Sequence, residues 1–356
     1  MSDRRQAHTR IDMYIRRNLE WKLILRFAWP YLLAAALWSF MVFGAFRWLG
    51  WTWLDIPFEP LSLLGIAVAF FLGFKNSQSY DRFWDARKIW GGILAQSRNW
   101  GLRILTLVTD EAAHGMSSAL LRAERRKLIY RHFAWVHALR LQLRRPAPFS
   151  IQESSTSTRV FQHHISEETI DTAIAPFLSE AEFGAVTTRF NVATQLLRLQ
   201  AEHLRRLKED YAALDGFDQD MCLHVLEAFA CLQTQCEGIK STPFPRQYSY
   251  FARVFTYIFV LLLPFGLLDI FGDEIVGQGD QEPGWYTALM IPMSVLISGI
   301  YLMWDLIGSN SEDPFEHRFN DVPMTALCRE IEIDLRDMLD ESPLPEEVKP
   351  RENILY

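Results

Sequence analysis

Two stretches of this sequence hold no basic residue, and a third holds no charge at all. Gly50 to Pro60 and Gly272 to Gly284 carry no lysine or arginine, only Asp55, Glu59, Asp273, Glu274, Asp280 and Glu282. Trp285 to Trp304 lacks charged residues altogether. Cysteine is scarce too: the four are Cys222, Cys231, Cys236 and Cys328, and none forms a C-x-x-C pair. Thiolate metal sites and redox motifs therefore lack their usual ligand spacing, and reduced, packed thiols are the plain reading. Histidine makes no H-E-x-x-H pattern. His163 and His164 are adjacent and cannot face one site on a helix, and His132 and His137 are five apart, so all four read as surface or packed residues and no enzyme is indicated. Strand signals are nearly absent, which points to helices throughout.

What is present is unevenly spread. A length of 356 residues allows about two domains, and a mean hydropathy of −0.01 with 22% charged residues would suit a soluble chain. The distribution decides otherwise. Leu23 to Leu49 is apolar apart from Arg26 and Arg47, near its ends, where long basic side chains reach the interface. Val254 to Phe271 carries one charge, Asp269, with Pro264 and Gly266 inside. With Trp285 to Trp304 these are spanning candidates. Leu61 to Phe74 is a fourth apolar run, shorter than the roughly 20 residues a lipid-facing span needs. The first 26 residues hold seven Lys/Arg, and Arg122 to Arg145 holds eight. The positive-inside rule then sets both termini and the long middle segment in the cytoplasm and the two acidic loops outside, which four spans satisfy and three or five do not. No cleavable signal peptide is expected, because the first apolar run is too long and begins beyond a basic stretch.

The chain thus reads as an all-α membrane protein: four transmembrane helices and a helical cytoplasmic bundle. Residues 1–22 form a basic arm in which Arg4, Arg5, Arg10, Arg16 and Arg17 can rest on anionic headgroups or a neighbouring chain. Residues 23–107 hold the first two spans, 108–250 a cytoplasmic helical region, 251–307 the third and fourth spans, and 308–356 a C-terminal helix and tail. Within the cytoplasmic region, LRAERRKLIYRHFAWVHALRLQLRR, Ser179 to Tyr211 and Asp218 to Lys240 are expected helices, and SIQESSTSTRV a loop. TALCREIEIDLRDML is the expected C-terminal helix.

The fourth apolar run continues into charge. FFLGFKNSQSYDRFWDARKIWGGI goes from phenylalanines to Lys75, Asp81, Arg82 and Asp85 with no proline between Leu61 and Trp90. At about 100° per residue, Ile66, Phe70, Gly73, Phe74, Ser77, Tyr80, Asp81 and Trp84 share one stripe, with Lys75 and Arg82 opposite. A continuous helix lining a water path has this character. A packed core and a solvated helix end produce the same pattern, so periodicity leaves both readings open.

FFLGFKNSQSYDRFW, with Gly-Phe at 73 and 74 and Arg-Phe-Trp at 82 to 84, resembles the second-helix signature of bestrophins. TQCEGIKSTPFPRQYSYFARVFTYIFVLLLPFGL is similar to the lead-in to the third span of the bacterial branch, and DVPMTALCREIEIDL to its C-terminal helix. The resemblance covers roughly residues 10 to 340. It implies a homopentameric, passive ion channel with one axial pore in the bacterial inner membrane, partnered by its own copies, lipids and small monovalent ions and not by nucleic acid. It also implies a hydrophobic neck, which the Gly-Phe pair places at Ile66, Phe70 and Phe74, the residues the stripe selects independently. A second constriction, counted back from Thr234-Gln235-Cys236, falls at Asp220 or Met221.

Eukaryotic bestrophins bind calcium with an acidic run after the last span. Here the corresponding segment is SNSEDPFEHRFND, where Glu312, Asp313, Glu316 and Asp321 are the calcium candidates, interrupted by Pro314 and Arg318. No other cofactor is expected. The family at large conducts chloride and other anions, and some bacterial relatives conduct cations, a preference that the acidic outer loops and Asp220 would favour. A membrane-anchored scaffold or sensor without conductance is the alternative of another class. The topology is directly testable. Reporters fused after Tyr356 and inserted at Ser155 should both read cytoplasm, and one inserted at Gly279 should read the opposite side; agreement between Ser155 and Gly279 would break the four-span reading.

Overall fold

The structure is a computed structural model that describes residues 21–109, 117–146, 168–277, 285–316 and 321–349. Residues 1–20 of the basic arm, the loop SIQESSTSTRV, and His163 and His164 lie outside the described residues. The described residues contain helices and no strand: α1 (Trp21–Leu49), α2 (Phe58–Leu107), α3 (Ser118–Arg144), α4 (Ile170–Ile174), α5 (Glu180–Thr187), α6 (Val192–Glu209), α7 (Gly216–Ser241), α8 (Arg246–Gly277), α9 (Trp285–Ala288), α10 (Met290–Asn310) and α11 (Met324–Met338). Four segments are long and apolar enough to cross a membrane: Ala28–Leu49, Phe58–Leu107, Arg246–Phe271 and Tyr286–Asn310. The chain divides into two compact units, and the division falls inside α2, between Arg82 and Phe83.

The first unit gathers α1, the first half of α2, α8, α9 and α10. Its helices approach through small residues, as lipid-embedded helices do when no hydrophobic force separates protein from solvent. Ala28 and Ala35 of α1 and Ser294 and Ser298 of α10 are buried, and Ser39 Oγ donates to Ala35 O at 2.8 Å and lies 2.8 Å from Ser294 Oγ. Asp269, the lone charge of its span, accepts the Phe58 N–H at 2.9 Å and so satisfies one of the orphan donors at the start of α2. At Gly65 a Cβ would stand 2.9 Å from Phe259 Cε2, and Tyr301 donates its hydroxyl to Gly65 O at 3.1 Å. Helix α2 is thereby held at close range on one side.

Lys75 fixes that side. Its ammonium is buried, 2.7 Å from Asp305 Oδ1 and 2.8 Å from Ser309 Oγ. Arg253 from α8 reaches the same groups, with Nε 3.4 Å from Asp305 Oδ2 and Nη2 donating to Ser309 Oγ at 3.1 Å. One carboxylate thus serves two cations. Asn76 donates to Trp304 O at 3.2 Å, and any side chain at Gly308 would run into Asn76.

The second unit is built around α3, which is buried continuously from Arg131 to Arg140. A helix buried on every side must satisfy its polar groups internally. Arg131 donates to Gln200 Oε1 at 3.1 Å and contacts Glu182 and His203. Arg140 donates to Glu168 Oε2 at 2.7 Å and to Thr325 Oγ1 at 3.2 Å. Burial raises the cost of ionising Glu182, but Arg131 and Ser179 overcome it and hold the carboxyl down at about 2. His132 and His137 are packed, and burial pushes each down to about 3, with Arg140 and Arg329 adding to the shift at His137. Cys222, Cys236 and Cys328 are buried and pushed up to about 11, 12 and 12 by desolvation, while Cys231 is exposed.

One expected helix is two. The segment from Ser179 to Tyr211 breaks between Thr187 and Val192, because Asn191 turns out of the helix and its side chain accepts the Thr194 N–H at 3.0 Å, capping α6 afresh. The last span begins with the short α9 and restarts at Met290, and it runs on to Asn310.

Because Asp305 lies between two cations, its loss should cost more than the loss of either. Asp305→Asn leaves Lys75 buried without an anion, a defect of about 3 to 5 kcal/mol, whereas Lys75→Met leaves Asp305 facing Arg253. Thermal melting in detergent should therefore rank Asp305→Asn lowest, with the double variant recovering much of the loss. Equal melting of the two single variants would show that Arg253 does not engage Asp305.

Candidate functional site

The rotation that buries Lys75 determines what α2 presents on its other side. Nine residues at about 100° place Ile66 half a turn from Lys75. Val68, Leu72, Lys75 and Ser79 are buried on one face, and every member of the sequence-defined stripe, Ile66, Phe70, Gly73, Phe74, Ser77, Tyr80, Asp81 and Trp84, is exposed on the other. Ile66 and Phe70 keep 69% and 74% of their surface, which removes them from this chain's own core. Phe74 is less exposed because its ring meets Tyr248, with centroids 5.8 Å apart. The stripe changes from apolar to polar along one unbroken helix, so a path beside it would meet hydrocarbon first and hydroxyls and carboxylate afterwards.

Asp220 and Met221 lie in the second unit, on α7. Asp220 is exposed, and His224 bridges it to Glu227: Nε2 is 3.4 Å from Asp220 Oδ2 and Nδ1 is 3.1 Å from Glu227 Oε2. Phe217, Asp220, His224, Glu227 and Cys231 share one exposed face at spacings of three and four. Met221 is half-buried, and its carbonyl accepts from Arg103 on α2.

Two of the four acidic calcium candidates have partners within the chain. Glu316 is buried and bonded to Lys240 Nζ at 2.9 Å, and Glu312 is buried and accepts from Ser249 Oγ at 3.4 Å. Asp313 is half-buried and Asp321 buried. Among the described residues no three His, Cys, Asp or Glu side chains come together as a metal would require, and a hard cation wants six to eight oxygens.

Sequence reasoning missed the Lys75, Arg253, Asp305 and Ser309 cluster. The signal was available: Asp305 is the first charge after an uncharged run and Arg253 immediately precedes another, and opposite charges at the ends of adjacent spans pair to avoid desolvated isolation.

Four helices long and apolar enough to cross a membrane, three of them tied by a buried ion cluster, define an all-α, multi-span membrane protein whose exposed helix face is the candidate site. The comparisons give the class its family: the model for bacterial and fungal bestrophins matches residues 4–337, and the chain belongs to that family. It is 30% identical over 321 residues to the voltage-dependent anion channel-forming protein YneE of Escherichia coli O157:H7, covering 90% of this chain and 89% of that one. A Ralstonia nicotianae protein named as voltage-dependent anion channel-forming is 29% identical, covering 87% and 86%. The crystal structure of a bacterial bestrophin homologue from Klebsiella pneumoniae superposes with a TM-score of 0.71 at 26% identity, covering 88% of this chain and 99% of that one.

Alanine at Ile66, Phe70 and Phe74 tests the stripe. Truncating side chains this exposed leaves little cavity, so Ile66→Ala and Phe70→Ala should each cost within about 0.5 kcal/mol, the range of ordinary surface changes. Phe74→Ala should cost more through its lost contact with Tyr248. If the stripe lines a path, the triple variant should assemble with normal yield and carry a larger current. Normal assembly with unchanged current would reject the neck.

Proposed function

We propose that the chain is one subunit of a homopentameric channel that passively conducts small monovalent anions, chloride among them, across a bacterial inner membrane with both chain termini in the cytoplasm. The observation that carries this reading is the exposed stripe on α2, apolar at Ile66, Phe70 and Phe74 and polar from Ser77 onward. A single helix cannot enclose water, so conduction needs a ring of copies, each contributing its α2. In that ring the three apolar levels span about 12 Å at 1.5 Å per residue. They offer an ion no ligand in return for its hydration, so the neck gates by width and wetting. Phenylalanine edges carry a weak positive charge, which favours anions at this level. The relatives' names point the same way. We read the acidic turn after α10 as serving Lys240 and Ser249 rather than calcium.

A cation-selective channel of the same fold is the second reading, favoured by one observation. The exposed face of α7 carries Asp220 and Glu227, and five copies of two carboxylates around an axis would concentrate cations.

Planar-bilayer recording under a salt gradient, on protein whose mass in detergent is established, tests both. The expected outcome is five chains of 41.4 kDa and a reversal potential shifted toward the anion equilibrium. A shift toward the cation equilibrium would replace the first reading with the second, and a stable monomer without current would leave a scaffold or sensor.

A further inference from the structure

The apolar runs of three spans stop at three charged residues. Phe74 gives way to Lys75 on α2, Trp304 gives way to Asp305 on α10, and Arg253 stands immediately before Val254, where the run of α8 begins. All three lie at the ends of their spans opposite the acidic loops Gly50 to Pro60 and Gly272 to Gly284. Their cluster therefore marks the level at which hydrocarbon stops and headgroups start.

Charge in this cluster does not balance. Lys75 and Arg253 share Asp305, which among the described residues is the one carboxylate within ion-pair reach of either. Ser309 lies between the two cations and brings a hydroxyl but no charge. Glu312, the next acidic residue along the chain, accepts from Ser249 Oγ instead. Two cations against one carboxylate leave one positive charge in excess. Lys75 is enclosed, so Arg253 presents that excess, with 33% of its side chain exposed. Its Nε faces Asp305 and its Nη2 faces Ser309, which leaves Nη1 without a partner among the described residues.

The face around Arg253 suits lipid. Tyr250, Arg253, Tyr257 and Leu261 follow one another at spacings of three and four along one side of α8, and Tyr250, Tyr257 and Leu261 are exposed. An aliphatic and aromatic face on a spanning helix meets acyl chains, and tyrosines near its end sit at headgroup depth. We propose that Arg253, flanked by Tyr250 and Tyr257, binds the phosphodiester of an anionic phospholipid such as phosphatidylglycerol, whose acyl chains run along Tyr257 and Leu261. A phosphodiester carries one negative charge, which is the charge the cluster lacks. The planar guanidinium offers it directed N–H donors, and basic pockets between spanning helices are established seats for such headgroups. The site rests on the spans and not on the channel reading.

Native mass spectrometry of the full-length protein in detergent, titrated with phosphatidylglycerol, phosphatidylcholine or diacylglycerol of equal chain length, counts the lipid bound. Saturation near one phosphatidylglycerol per chain is expected, about tenfold or more tighter than diacylglycerol because charge-assisted bonds form only with the phosphate. Phosphatidylcholine, whose headgroup has no net charge, should fall between the two. Arg253→Gln should weaken phosphatidylglycerol binding about tenfold, to the level of diacylglycerol. Phosphatidylglycerol binding no tighter than either other lipid overturns the site, as does affinity unchanged in Arg253→Gln. Should that variant fail to assemble, Tyr250→Ala decides, since it removes an exposed ring beside Arg253 and leaves the ion cluster intact. Several-fold weaker phosphatidylglycerol binding at an unchanged melting temperature is expected there, and unchanged affinity overturns the proposal. Arg253→Gln falling into single chains, with no phosphatidylglycerol preference in the unaltered protein, would give Arg253 to a carboxylate of a neighbouring copy and overturn the lipid site.

Discussion

A lysine ammonium removed from water needs an anion within reach, and for Lys75 that anion is Asp305. The requirement acts on α2 as a whole. A helix can rotate about its axis at little cost when one apolar face replaces another against lipid, but turning Lys75 away from Asp305 would leave both charges desolvated. The pair therefore fixes the rotation of α2, and the Asp269 cap on Phe58 and the Tyr301 bond to Gly65 fix its position along the axis. Over the first half of α2, the face that carries Ile66, Phe70 and Phe74 is exposed because the opposite face holds Lys75 buried.

The consequence is a helix whose two faces differ in kind. The inner face supplies Leu61, Val68 and Leu72 to a hydrophobic cluster with Phe259, Leu263 and Leu267. The outer face keeps bulky hydrophobic side chains out of that cluster. In the proposed ring these faces divide the work: the apolar levels set whether water and ions pass and add only a weak bias toward anions, and charged groups elsewhere set most of the ion preference. Such a division lets the neck change without altering ion preference, because an apolar surface has no charge with which to discriminate strongly.

The second unit follows a different constraint. Helix α3 is enclosed by its neighbours, so each of its polar side chains has to find a partner within the protein. Arg131 and Arg140 find carboxylates, His132 lies 2.9 Å from Ser97 Oγ, and Trp135 donates to Gln233 at 3.0 Å. Near the exposed start of the same helix, Arg125 donates to Val108 O at 2.8 Å and Arg126 Nε lies 2.9 Å from a Glu341 carboxylate oxygen.

Much of this was legible in the sequence. Apolar runs with few or no charges marked the spans, because a bilayer core admits few charges, and the 3.6-residue period selected Ile66, Phe70 and Phe74 as one stripe because side-chain direction on a regular helix depends only on spacing. Whether that stripe was core or exposed surface was not legible, since periodicity identifies residues that share a face without saying what the face meets. The burial of Lys75 against Asp305, 230 residues away, decided it. Sequence spacing likewise could not show that Glu316 bonds Lys240 or that Glu341 folds back onto Arg126 and Arg336. Local patterns in this chain determined which residues share a helix face, and only the tertiary structure decided which face is buried, because that depends on partners supplied by distant helices.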